Sequence, residues 1–219
     1  MGYFSELPNL QYQSPFSDRL SDSSYVFAKN IFRRMKVRDD LQNVFTIFNK
    51  YQIIDGIRPD NVAEELYGES EYDYVVLLTA NITNIRDQWP ITSRELYEYT
   101  VQKYGLEKIN DVHHHITREI KDSNGKLILP AGKIVDSNFT VSYFDSTPTT
   151  TSTKETVRGI TNYEHEVDEN EKKRTIYVLK PIYLGQFLDD MKNEMIYKES
   201  SQFVNQRLIK TENTRVTIP

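Results

Sequence analysis

The stretch IRPDNVAEELYGESEYDYVVLLTAN, residues 57–81, carries its own start and stop signals. Pro59 fits a first helical turn, where its missing N–H would go unpaired anyway, and Asp60 favours the positive end of the helix dipole. Val62, Ala63, Leu66 and Tyr67 share one apolar face, and Gly68 supplies a left-handed stop. A second helix is expected over residues 72–80. Its YVVLL run is apolar nearly all round, which requires burial on most sides, and Asn81 can take the C-terminal cap. Just upstream, Phe45, Ile47, Tyr51 and Ile53 alternate with polar residues, predicting a strand that ends at Asp55 and Gly56.

Working outward, residues 1–22 carry Pro8, Pro15, several Ser and scattered aromatics without helical period, which predicts an extended arm. From Ser23, the spacing of Val26, Ile31, Phe32 and Met35 predicts a short amphipathic helix. Downstream, Pro90 breaks the chain, Thr92 and Glu95 form a capping-box pattern, and Gly105 ends the helix they begin. Trp89, directly before that break, is expected to be a packing anchor. From Asp111 the texture turns β-rich, with a hairpin turn predicted at Asn124-Gly125 and a polar loop over residues 146–156. Residues 163–173 then predict an exposed helix with Asp168–Lys172 and Glu169–Lys173 pairs. RTIYVLK predicts a strand, and Pro181 opens a last helix striped with Phe187, Leu188, Met191, Met195 and Ile196. The tail after Ser200 shows no clear period.

Composition narrows the function. The chain has 219 residues, a formal charge of −5 and no cysteine. Its scattered charges offer no basic face, which argues against nucleic acid and anionic membranes as partners. Lacking cysteine, it has no disulfide, thiolate nucleophile or cysteine-held zinc, as fits a protein made in reducing cytoplasm. The first residues, MGYFSELPNL, show neither the basic nor the apolar region of a secretory signal, and no apolar run is long enough to span a membrane. The 15 tyrosines and 10 phenylalanines are numerous, and such residues are favoured where surface is buried against a partner.

The candidate chemistry is thin. VHHHIT, residues 112–117, invites a metal, but on a regular strand His113 and His115 share one side and His114 faces the other. A third ligand would have to come from elsewhere, no HExxH follows, and His165 lies in a charged helix, so no metal or other cofactor is expected. GESEY at residues 68–72 lacks the last glycine of a nucleophile elbow, so Ser70 reads as a helix N-cap. The glycines are dispersed, leaving no phosphate loop, and neighbouring acids such as Glu64 and Glu65, or Asp189 and Asp190, point apart on a helix. Neither catalysis nor a small-molecule substrate is expected.

The order of strand, helix, Tyr-Gly, helix and Ala-Asn within ELYGESEYDYVVLLTAN resembles a LysM module, whose members share a βααβ plan. A wider set of blocks is more specific. RPDNVAEELYGESEYDYVVLLTAN, then WPITSRELYEYTVQKYG, with YFSELPNLQY before and TNYEHEVDENEKKRTIYVLKP after, resembles the baseplate wedge protein family of T-even-like contractile phages, gene 53 type. That resemblance implies a non-enzymatic virion protein of the tail baseplate, assembled in the host cytoplasm. It would dock on the wedge core and link neighbouring wedges around the hub, with other wedge subunits as partners. The interface candidates it implies are Tyr3, Phe4, Leu7 and Tyr12 in the arm, Tyr67 and Trp89 on the LysM-like surface, and Tyr163 and Tyr177 in the C-terminal block.

The expected architecture is therefore α+β. It comprises an N-terminal arm and helix (1–44), a LysM-like βααβ core (45–105), a β-rich middle with a loop (106–162), and a helix-strand-helix ending with a tail (163–219). The rival reading is a peptidoglycan-binding LysM module of a cell-wall-directed protein. Against it, residues 57–81 hold six carboxylates and one arginine, and the second strand of the module is expected to be replaced by the turn at Trp89-Pro90 and a helix.

Overall fold

The computed structural model describes residues 2–13, 25–37, 46–144, 151–154 and 156–210. The chain is α+β and divides into two compact units, one made of residues 1–89 with 175–219 and the other of residues 90–174.

The first unit is built around the decisive stretch. Helices Pro59–Tyr67 and Asp73–Thr79 form as the sequence predicts, and Gly68 ends the first at φ +79°. Asn81 takes φ +56°, the left-handed geometry that its short polar side chain tolerates just past a helix. Ser70 opens a 3₁₀ turn, Ser70–Tyr72, rather than capping the next helix, whose N-cap position falls to Tyr72. The strand before them is Phe48–Gln52; residues 43–45 of the expected strand lie outside the described residues.

The partner of that strand is the main surprise. Thr175–Leu179 pairs antiparallel with Phe48–Gln52, so the strand-helix-helix-strand set is completed by a segment from beyond the second unit. The missing strand is supplied from a distance, which local sequence pattern cannot reveal. Ile53, Val62, Ala63, Val76 and Trp89 bury against Ile176 and Val178 from the late strand. A second cluster joins Phe48, Tyr74, Val75 and Leu179 to Met191 of helix Leu184–Glu194, with Phe187 and Leu188 packed beside it. Each fully buried aliphatic side chain contributes about 1.5–3 kcal/mol, so both clusters depend on residues after 174.

Two expectations near the N-terminus are corrected. Residues 9–13 are not a free arm: strand Asn9–Gln13 lies inside a four-stranded sheet, antiparallel to Tyr25–Lys29 and parallel to Leu208–Lys210. The helix expected from Ser23 is instead the strand Tyr25–Lys29, followed by a turn. Tyr25, Val26 and Phe27 favour a pleated surface, and pairing with Asn9–Gln13 outweighs a weak helical spacing. The tail without period forms strands Phe203–Asn205 and Leu208–Lys210, too short to show alternation.

The second unit holds helices Ser93–Tyr104 and Asn162–Lys173, both started by complete capping boxes, Thr92 with Glu95 and Thr161 with Glu164. Its three-stranded sheet runs in the order Val157–Thr161, Val112–Thr117, Ile134–Val135. The Asn124-Gly125 turn joins strands Ile120–Lys121 and Leu127–Leu129, as expected. Within the polar segment 146–156, Thr151–Lys154 pairs with Val141–Phe144 instead of looping, while residues 145–150 and 155 lie outside the described residues. At the late helix the direct ion pairs, Lys172 with Glu169 and Arg174 with Glu171, have a spacing of three, while the expected partners Asp168 and Lys173 act on Lys172 and Glu169 through charge.

Candidate protein-docking surface

The interface candidates sort by burial. Leu7 is 1% exposed and Trp89 6%, so both are packing residues of the first unit, and the Trp89 Nε1 donates to Ile57 O at 2.9 Å. Tyr67 is half-buried and donates to Leu179 O at 3.0 Å, tying the first helix to the late strand. Its burial pushes the hydroxyl above the ordinary phenol range, so it remains a donor. Tyr177 is half-buried against the second cluster. In the second unit, half-buried Tyr163 meets Tyr97 edge-on at 6.1 Å.

Tyr3, Phe4 and Tyr12 keep accessible surface. Tyr3 packs on Tyr74 at 5.6 Å between ring centres and holds Phe4 edge-on at 5.7 Å. Phe4, 66% exposed, borders a groove with Arg34, Glu71, Leu78 and Ile85. Tyr12 stands opposite Val26 in the N-terminal sheet, and both are exposed.

Val26 leads to the apolar strip that sequence reasoning missed. Strand Tyr25–Lys29 ends the sheet among the described residues, and Phe27 on its other face is 64% exposed. The turn that follows presents Ile31 and Phe32, the latter 87% exposed. Read as a helix, Val26, Ile31 and Phe32 would have been buried together; read as strand and turn, they project outward. The strip is held firmly. Asn30 Oδ1 accepts from Phe32 N at 3.2 Å, and the Arg33 guanidinium donates to Glu194 O at 2.6 Å and Ile196 O at 3.1 Å. Lys29 Nζ donates to Leu7 O at 2.8 Å. A preformed apolar strip beside an edge strand can bind another chain with little ordering cost.

The second unit concentrates its polar chemistry where its helices meet the sheet. Glu166 is 7% exposed, and its Oε1 accepts from Lys103 Nζ at 2.7 Å and Tyr104 OH at 2.8 Å. Asn170, also buried, takes both the N–H and the C=O of Ile91, each at 3.0 Å. The histidines do not follow a regular strand. Ile160 pairs with His114 but Thr161 pairs with Val112, leaving His113 as the extra residue of a bulge. Bulging re-aims His113, so His113 and His114 share a hydrogen bond at 2.9 Å between their Nδ1 atoms. The His165 ring from the late helix stacks on His113 at 4.0 Å. Partial desolvation and the two neighbouring imidazoles hold His113 below the ordinary histidine range.

No helix among the described residues is long and apolar enough to cross a membrane. In a comparison with known families, the family described as base plate wedge protein 53 matches residues 11–128, more than half of the chain. A comparison with curated proteins gives no match. The matched stretch holds the N-terminal edge strand, the apolar strip, both helices of the decisive stretch and the histidine run.

Proposed function

Given that the chain belongs to the base plate wedge protein 53 family, we propose that it is a non-enzymatic building block of a phage tail baseplate that docks on other wedge subunits through its N-terminal apolar strip. The carrying observation is Phe27, Ile31 and Phe32 standing exposed on an edge strand and the turn after it, with Val26 exposed on the other face of that strand, all within the matched stretch. Their burial on another chain would contribute several kcal/mol, about 1.5–3 for each side chain fully covered. Anchors of this size, centred on aromatic rings, carry most of the energy of protein interfaces. The Phe4 groove and Tyr12 extend the same reading along the first unit, and contact between neighbouring wedges falls to surfaces such as that around Tyr163.

The strand-helix-helix-strand core supports a LysM-like reading of the first unit, used for protein contact. Its exposed Glu64, Glu65, Glu69 and Glu71 make it a poor match for peptidoglycan, whose peptide stems already carry carboxylates.

Co-expression with the remaining wedge subunits of the same phage tests this. The chain is expected to co-purify with them and to pass through a peptidoglycan column at moderate salt. The double substitution Phe27→Ser with Phe32→Ser should weaken co-purification at least about tenfold while shifting stability by less than about 0.5 kcal/mol, since both rings are exposed. Full co-purification of that variant, or retention of the protein on peptidoglycan alone, would overturn the proposal.

A further inference from the structure

We propose that His113, His114 and His165 form a binding site for a borderline divalent transition metal, zinc above all, in the second unit. One ligand nitrogen from each ring can be chosen so that all lie within 4.8 Å of one another. Tetrahedral zinc with Zn–N bonds of about 2.0–2.1 Å needs its nitrogens about 3.4 Å apart. The His113 and His114 Nδ1 atoms already stand at 2.9 Å, and the His165 ring, stacked on His113 at 4.0 Å, would turn out of that stack to aim a nitrogen at the shared ion.

The backbone sets this convergence. The bulge at His113 places two consecutive imidazoles on the side of the sheet that the late helix covers, a placement that regular alternation forbids. His165 sits in the first turns of helix Asn162–Lys173, whose start is fixed from several directions. Thr161 and Glu164 cap it, Asn162 Nδ2 donates to Lys108 O at 2.8 Å, and Tyr163 N donates to Ile109 O at 3.1 Å. One residue on, Glu166 is clamped by Lys103 and Tyr104. With the backbone of both elements held in this way, binding requires a ring rotation at His165 but no ordering of the chain.

The donor set selects the metal class. Three imidazoles and no thiolate suit zinc, copper or nickel and exclude magnesium or calcium, which want oxygen. His113 is exposed, so a metal has a route in, and the adjoining groove carries Asp168 and Glu171 beside the Glu169–Lys172 ion pair, so it does not repel a cation. Three protein ligands leave a fourth position for water or for a side chain of another subunit. Bound there, the metal staples the strand Val112–Thr117 to the late helix.

The test uses the full-length protein without an affinity tag. After loading with zinc and gel filtration, elemental analysis should find about one zinc per chain, and the melting temperature of the loaded protein should rise by several degrees, roughly 4–8 °C for a unit of this size at saturating metal. His165→Ala and the pair His113→Ala with His114→Ala should each lose the retained zinc. His115→Ala should keep it, because His115 points to the other face, against Gly159. Cobalt added to the unsubstituted protein should give the intense visible absorption of a four-coordinate nitrogen site, a readout that requires no variant to fold. Absence of retained zinc, a six-coordinate cobalt spectrum, or unchanged zinc content in His165→Ala would each overturn the proposal.

Discussion

Glu166 stays ionised in the interior because two donors from the facing helix, Lys103 and Tyr104, reach the same carboxylate oxygen. Burial alone would favour the neutral acid, but the two hydrogen bonds and the lysine charge outweigh it and hold the carboxyl below its ordinary range. A carboxyl depressed in the folded state stabilises fully above the unfolded value, about 4.3, and that stability is lost as pH falls through the folded value. Thermal melts followed by circular dichroism between pH 6 and pH 3, values set by that range, should therefore show a steep acid loss of stability in the native protein. In Glu166→Gln the stability at neutral pH should fall by about 2 kcal/mol and the acid slope should flatten; an unchanged slope would contradict the assignment. This pair was not legible in sequence, since its partners lie 63 and 62 positions away. Pro59, Gly68, Asn81 and the Thr92–Glu95 box were legible, because each acts on the backbone within a few residues.

Among the elements, those that announce themselves are the ones whose signals are local. The two helices of residues 57–81 end where Gly68 and Asn81 adopt left-handed geometry, and no neighbour lies within 4 Å of a Cβ built on Gly68. Gly68→Ala should accordingly cost about 1 kcal/mol through backbone strain alone, measured by urea unfolding; a neutral effect would mean that the turn relaxes. Strands that depend on partners elsewhere in the chain are not announced by their own residues. Asn9–Gln13 has the composition of a free arm and Tyr25–Lys29 a helical spacing, but the two pair with each other and Asn9–Gln11 pairs further with Leu208–Lys210, contacts that no local pattern announces. The histidine run illustrates the same limit: strand type was readable, but the bulge that turns His113 toward His165 comes from pairing with Val157–Thr161.

Across the whole chain, the first unit is assembled from segments on either side of the second. Strand Phe48–Gln52 has its partner in Thr175–Leu179, and both core clusters draw on residues after 174. A chain ending at Arg174 should therefore leave Trp89 in water, with the red-shifted emission of an unfolded protein. The single tryptophan makes this readout unambiguous, and a blue-shifted, cooperative transition in the truncated chain would contradict the architecture. The family assignment gives this architecture its setting, a baseplate wedge, and the exposed residues over Val26 to Phe32 are the contact surface we propose for it. Hydrogen exchange tests that link most directly, by comparing the isolated protein with the protein in an assembled wedge. Amides of Asn9–Gln11 should be protected in both states, being flanked by strands on both sides, while the amides of residues 25–33 that are not bonded within the protein, those on the open edge of Tyr25–Lys29 above all, should slow markedly only on assembly. Unchanged exchange across residues 25–33, with protection gained elsewhere, would contradict docking through this strip.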